Sequence, residues 1–412
     1  MIHFQKFTLD NGLRIILHED KSTPLVCVNT LYRVGAKHEN PDKTGMAHLF
    51  EHLMFGGSAN AQNFDRVLEE AGGENNAFTN NDYTNYYDTL PAENIETALW
   101  LEADRMQNLN LDQKSIDIQK SVVIEEFKEN YLNQPYGDMD GIIREMAFKH
   151  HPYRWSTIGK SIQQIQAITR NDLIDFYHQW YAPNNAILVI SGDIDSQYSI
   201  ELVKKHFGSI RSGGNTSLSI PCEPEQLSKR EEEKNDDVPQ DTILMAFHMP
   251  GRNNPDYRAA DLISDILANG KSSRFYSGLV REKQVFSDLD AYIWGSEDPG
   301  LLIVHGFPAN GISLDEAENL IWEELEMLKK EGCNKDELAK VKNKAISAWM
   351  FSNIAINNKA HHLAFFEHMG DTGLINKEDS LVDAVDMERI NRVIKRILRK
   401  DNASVLKYYA KK

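Results

Sequence analysis

Two histidines four residues apart, His48 and His52, with Glu51 beside them in the string HLFEH, are the residues of this 412-residue chain whose types and spacing point most directly to chemistry. On a helix, positions i and i+4 share a face, so both imidazoles can meet one divalent ion. A catalytic zinc takes three protein ligands and keeps a position open for water, and a neighbouring carboxylate must take the water's proton as it attacks a carbonyl. HLFEH supplies two ligands and that base, in the reverse order of the commoner zinc-peptidase motif. The third ligand must come from another element. Residues 119–126, QKSVVIEE, offer an acidic pair on a helix whose apolar positions are Ile118, Val122, Val123 and Phe127, and periodicity alone leaves the choice between Glu125 and Glu126 open. Two histidines and a glutamate on an apolar helix are costly to bury without a partner ion, which favours a metal over an incidental grouping.

The elements that must position these groups are legible in outline. Residues 4–9 alternate, Asn11-Gly12 is a hairpin turn signal, and 13–18 and 26–32 read as further strands. Met46, Ala47, Leu49, Phe50, Leu53 and Met54 have helical spacing up to a stop at Gly56-Gly57. Helices are predicted at 64–71, 95–108, 113–131 and 172–181, with a strand at 186–191. Between 212 and 240 the chain becomes rich in Gly, Ser, Pro and charge, and reads as a linker whose REEEKNDD run is a solvated face. It divides a zinc-binding domain, 1–211, from a second domain, 241–412. A shift of 214 puts Asn40-Pro41-Asp42 on Asn254-Pro255-Asp256, Leu53 on Leu267 and Gly56 on Gly270, so the second half reads as a repeat of the first. Under that shift His48, Glu51 and His52 fall on Leu262, Asp265 and Ile266, and a shift of 222 carries Glu126 to Ala348, so the repeat keeps the fold and drops the ligands.

Bulk properties agree with two domains of a soluble globular protein: 41% of residues are hydrophobic and 26% charged. A formal net charge of -17 argues against nucleic acid or an anionic membrane as partner and favours basic peptides. No secretory signal is read at the N-terminus and no stretch is long enough to span a bilayer. Cys27, Cys222 and Cys333 have no paired spacing, which suits a reducing compartment; a cytoplasmic protein is expected, or a periplasmic one if an N-terminal signal has been removed. The adjacent pairs His150-His151 and His361-His362 point to different sides of an element and read as structural, as do the packing aromatics Tyr153, Trp155 and Tyr181.

HLFEH and the distant VVIEE, taken with DNGLRIILHED, GMAHLFEHLMFGGS, NNAFTNNDYTNYYDTLP, HPYRWSTIG and SSRFYSGLVREKQ in that order, resemble the pitrilysin or insulinase family of zinc metallopeptidases, especially its half-length bacterial members and the mitochondrial processing peptidase. The resemblance implies an α+β fold of two homologous domains, each an antiparallel-rich sheet flanked by helices. It makes His48, His52 and Glu126 the ligands of one zinc ion per chain and Glu51 the base. Seven residues before Glu126 the family partly retains an acidic position; here it is Gln119, which cannot tune charge near the metal. Asn76, Ala77, Phe78 and Thr79 match the family's substrate-binding edge strand, to which an extended peptide adds by main-chain hydrogen bonds, with Phe78 lining a side-chain pocket. Arg281 matches an arginine that holds the substrate carbonyl, while the tyrosine expected seven residues later is Asp288, with Tyr292 four residues further on. Half-length relatives dimerise so that one chain's second domain faces the other's zinc. A homodimer is therefore expected, a heterodimer being the alternative.

The function expected is that of a zinc-dependent endopeptidase acting on short or unfolded peptides. Two rivals stand beside it: a non-catalytic peptide-binding or assembly subunit of the same fold, which Gln119 and Asp288 favour, and a metal-dependent hydrolase of non-peptide amides.

Overall fold

Runs of aliphatic and β-branched residues become strands wherever a second such run is available to pair with them. In the computed structural model, which describes residues 1–214, 216 and 218–411, β1 (Gln5–Thr8), β2 (Arg14–Glu19), β3 (Leu25–Tyr32), β4 (Glu74–Thr79), β5 (Thr84–Pro91) and β6 (Ala186–Gly192) form a sheet in the order β1-β2-β6-β3-β5-β4. β2 and β6 are parallel, and the other neighbours are antiparallel. β6 is buried at every position, so the sheet is covered on both faces there. A second sheet holds β7 (Arg230–Asp236), β8 (Thr242–Met249), β9 (Phe286–Trp294), β10 (Gly300–Pro308) and β11 (Ala403–Ala410) in the order β7-β11-β8-β10-β9. Here β7 and β11 are parallel and the rest antiparallel. The series β2-β6-β3-β5-β4 and β7-β11-β8-β10-β9 share order and directions, so the repeat suggested by the sequence is real in the topology, with β1 as an addition.

In chain order the helices of the first half are α1 (Met46–Leu53), α2 (Phe64–Glu70), α3 (Ile95–Asn108), α4 (Gln113–Phe127), α5 (Met139–Ala147), α6 (Ile162–Ala167), α7 (Arg170–Trp180) and α8 (Ser196–Phe207). α9 (Tyr257–Ala268), α10 (Leu314–Glu331), α11 (Lys335–Ser352), α12 (Ile356–His368), α13 (Glu378–Asp383) and α14 (Met387–Ile397) follow. No helix among the described residues is long and apolar enough to cross a membrane.

By packing, one unit comprises Met1–Glu129, Trp155–Ile220 and Phe351–Lys377, and the other Asn130–Arg154, Pro221–Met350 and Glu378–Lys412. Each sheet therefore carries a helix drawn from the opposite half of the sequence. α12 packs on β3 and β6 of the first sheet, and α5 on their counterparts β8 and β11 of the second. In the second unit the strand period of two is visible directly: Ile243, Met245 and Phe247 face α9, α10 and α14, while Leu244 and Ala246 face Met139, Ile143 and Met146 of α5.

The expected division into 1–211, a linker at 212–240 and 241–412 follows the repeat but not the packing units. Residues 215 and 217 of that linker lie outside the described residues. Its charged end is no linker, because β7 pairs with β11 along its whole length. Arg230 donates to the carbonyl oxygens of Met146 and Ala147, at 2.7 and 2.5 Å, and Lys234 pairs with Asp138. An edge strand needs main-chain partners more than apolar side chains, and charge on it discourages further pairing.

Candidate metal centre

α1 is a short helix whose Met46, Ala47, Leu49, Phe50 and Leu53 are buried, and burying that stripe turns His48, Glu51 and His52 to one partly open side. The imidazoles stand one turn apart, ring centroids 4.8 Å apart and planes nearly perpendicular. α4 brings the third group. Its buried stripe is Ile116, Val123 and Phe127, which leaves Glu126 beside α1 and sends Glu125 outward to pair with Lys128 at 2.6 Å. Of the acidic pair it is Glu126 that stands beside the two histidines. Ile118 and Val122, expected on the inner face, are exposed instead, because the stripe turns about the axis to follow 116, 123 and 127.

Glu126 Oε2 lies 3.7 Å from His48 Nε2 and 3.4 Å from His52 Nε2, and the three donor atoms fall within 4.8 Å of one another. Ligands at about 2.0–2.2 Å from a tetrahedral zinc stand about 3.3–3.6 Å apart, so the two Glu126–histidine separations come close to what that ion needs, while the cluster as a whole, bounded at 4.8 Å, is wider. Its charge state also suits a cation. Burial is the main cause that pushes His48 down to about 4, opposed by Glu126 and reinforced by His52, so its ring is neutral at neutral pH and has a lone pair to offer. Glu126 is held below the ordinary glutamate range, chiefly by its hydrogen bond from His52, and presents a carboxylate. His48 Nδ1 is buried and has no hydrogen-bond partner among the described residues, which supply no acceptor of the kind that ordinarily fixes the orientation of a metal-binding histidine. Gln119, half-buried two turns before Glu126 on the same helix, does not supply it.

Glu51 faces the edge strand. Burial raises its carboxyl above the usual range, while the side chain and backbone N–H of Thr79 and the nearby His52 pull it back. A carboxylate moved towards neutrality is better matched to taking a proton at neutral pH. β4 ends its sheet, so one edge of its backbone is unpaired by any strand among the described residues. Asn76 is exposed, and its side-chain oxygen accepts the Ala77 N–H at 2.8 Å. Phe78, on the opposite face to Thr79 by strand alternation, is half-buried with its ring 5.1 Å from His361 and 5.9 Å from Tyr83. Tyr83 Oη and His361 Nε2 are 3.0 Å apart, and burial pushes His361 down to about 4. This buttress has no signature in the sequence, since nothing local connects α12 to β4.

A second feature without a sequence forecast lies at the start of α1. Glu39, buried six residues before Gly45, accepts the Gly45 N–H at 2.9 Å and the Ala47 N–H at 2.8 Å. The available signal was negative: the helix start shows Gly45 where a capping side chain belongs and no acid in the first turn. Arg281 belongs to the other unit, in a helical turn Tyr276–Glu282, where it is exposed and paired with Glu282 at 3.0 Å. Asp288 and Tyr292 are on β9, the first exposed and the second half-buried, its hydroxyl pushed up to about 12 mainly by burial.

Comparison with known proteins places this geometry in context. Residues 14–160 match the family profile described as Insulinase (Peptidase family M16), and residues 167–345 match the profile described as Peptidase M16 inactive domain. A Helicobacter pylori protein named zinc protease PqqE is 32% identical over 375 residues, covering 89% of this chain and 81% of that protein. A Bacillus subtilis protein named uncharacterized zinc protease YmxG is 26% identical over 417 residues, covering 98% of this chain and 97% of that protein. A solved structure described as a protease from Helicobacter pylori superposes with a TM-score of 0.92 at 28% identity, covering 99% of this chain and 100% of that one.

Proposed function

We propose that this chain, which belongs to the insulinase family of peptidases (family M16), is a zinc-dependent endopeptidase acting on short or unfolded peptides. One observation carries the reading: two imidazole nitrogens and one carboxylate oxygen from separate helices converge within 4.8 Å, with a second carboxylate, Glu51, on the same face of α1. His48, His52 and Glu126 hold one zinc ion per chain. When bound, the metal supplies a Lewis acid that polarises the scissile carbonyl and acidifies the attacking water. Glu51 takes that water's proton and passes it to the leaving amine. Thr79 holds Glu51 from the edge strand, so the element that binds an extended peptide also orients the base. The peptide adds to the free edge of β4 at Asn76, Ala77, Phe78 and Thr79, displacing the Asn76 side chain from the Ala77 N–H, and Phe78 lines a side-chain pocket. Arg281 holds the substrate carbonyl, supplied by the partner copy in a homodimer.

Metal analysis combined with a peptide-library digest of wild type and Glu51→Gln tests the reading. The expected result is one zinc per chain in both proteins and cleavage by the wild type alone. Zinc-free protein in excess zinc, or equal digestion by both, would end it. The rival, a non-catalytic subunit of a heterodimer, draws support from the missing acceptor at His48 Nδ1 and from Gln119 and Asp288. It predicts a wild type that binds peptides and zinc but releases no product.

A further inference from the structure

An eight-residue helix is intrinsically marginal, because nucleation is costly and two turns give few internal hydrogen bonds to offset it. α1 has a further handicap. Its first internal bond runs from Leu49 N–H to the Gly45 carbonyl, so the N–H groups ahead of Leu49 need partners from outside the helix. The usual solution, a Ser, Thr, Asp or Asn at the N-cap, is barred at this position. Gly45 sits at φ 88, and a Cβ there would lie 2.6 Å from the Ile158 carbonyl oxygen. A remote acceptor is the remaining option, and Glu39 provides it with both oxygens, on Gly45 and on Ala47, the residue directly before His48.

We propose that Glu39 is a positioning residue for the metal site: by holding the first turn of α1 it fixes where the imidazoles of His48 and His52 stand. The inference rests on the zinc reading above. His48 lies in the turn that Glu39 clamps and His52 one turn beyond, so a loosened start displaces the two rings unequally and spoils their convergence with Glu126. Metal sites tolerate only about 0.5 Å of such error. The burial of Glu39 is also explained, since backbone donors at a helix N-terminus replace the water a carboxyl loses on being buried.

The test is zinc affinity, measured by competition with a chromophoric chelator, alongside melting of the metal-free proteins, for wild type, Glu39→Ala, Glu39→Gln and Asp195→Ala. Asp195 caps α8 by accepting the Tyr198 N–H at 2.7 Å, and serves as a control for loss of a helix cap elsewhere in the same unit. Glu39→Ala should weaken zinc binding about 10–100-fold, the range seen when a group supporting a metal ligand is removed. Glu39→Gln, which keeps one acceptor, should fall between it and wild type. In peptide cleavage the loss should appear in kcat, with KM little changed, because β4 is untouched. Asp195→Ala should lower the melting temperature and leave zinc affinity unchanged. Equal zinc affinity in wild type and a folded Glu39→Ala overturns the proposal, as does an equal loss in Asp195→Ala. Should the alanine variant not fold, wild-type affinity in Glu39→Gln overturns it instead. A wild type that takes up no zinc sinks the zinc reading itself, which is a separate outcome.

Discussion

The two units solve one packing problem with two kinds of helix. In the second, α9 follows β8 and buries Leu262 and Ile266 in the core, with Asp265 half-buried between. In the first, α1 follows β3 and presents His48, His52 and Glu51 at the matching positions. The sheet plan tolerates either, so the fold requires an apolar stripe on this helix but not the residues that carry chemistry. Even the acid persists: Glu51 and its counterpart Asp265 are both raised above their usual ranges, chiefly by burial. The histidines are what differ, and among the described residues a three-donor cluster of metal-binding size occurs in the first unit and not in the second. A cluster that could hold a metal ion is here a small edit to a repeated scaffold.

The strongest way to break this comparison is to write the second unit's residues into the first. His48→Leu with His52→Ile should abolish zinc uptake and peptidase activity, while the metal-free protein holds its stability or gains up to about 2 kcal/mol from the added apolar burial. A collapse of the fold, seen by denaturant melting, would show that the histidines also serve packing. Glu51→Gln should lower kcat about 10²–10⁴-fold with zinc content intact, since it removes proton transfer but no ligand. Next in size is the exchange of α5 and α12. Ile143 and Leu363 are fully buried, and Ile143→Ala and Leu363→Ala should each cost about 2–5 kcal/mol in urea unfolding. A small effect of either would mean that its helix is an accessory and that the units are not equivalent.

The finest test uses pH. Burial, with Asp265 adding to it, raises Asp261 of α9 to about 6 from 3.8. A carboxyl with a folded pKa above its unfolded one binds its proton more tightly in the native state. Its contribution is therefore most favourable below about pH 4 and is lost as pH rises towards 6, by at most about 3 kcal/mol. Asp261→Asn should remove this dependence, so its stability relative to wild type should improve between pH 4 and 7. Parallel curves for the two proteins would refute the assignment.

Much of this molecule was readable from sequence wherever the determinant is local. The N-terminal hairpin, β3, α1 and β6 follow from alternation and helical spacing, and the shared face of His48 and His52 follows because i and i+4 must lie on one side of a helix. Glu126 was within reach, but separating it from Glu125 needed the actual rotation of α4. β7 was missed because strand formation there depends on β11, some 170 residues away, rather than on its own charged side chains. The crossing of α5 and α12 is likewise invisible to periodicity, which reports that a helix has an apolar face and not which sheet receives it. Glu39 was hidden for a related reason: capping rules look at the residue beside the helix, and here the acceptor arrives from a loop that only folding brings close.

The exchange of α5 and α12 also sets an order on how the protein can be made. The strands β3 and β6 have been synthesised by residue 192, yet the helix that covers them, α12, spans 356–368 of 412 residues. For about two-fifths of translation the nascent chain must carry an unfinished sheet, and such exposed apolar surface is what chaperones hold and what aggregates form from. The unit that carries His48, His52 and Glu126 is thus completed late, after most of the other unit has been synthesised.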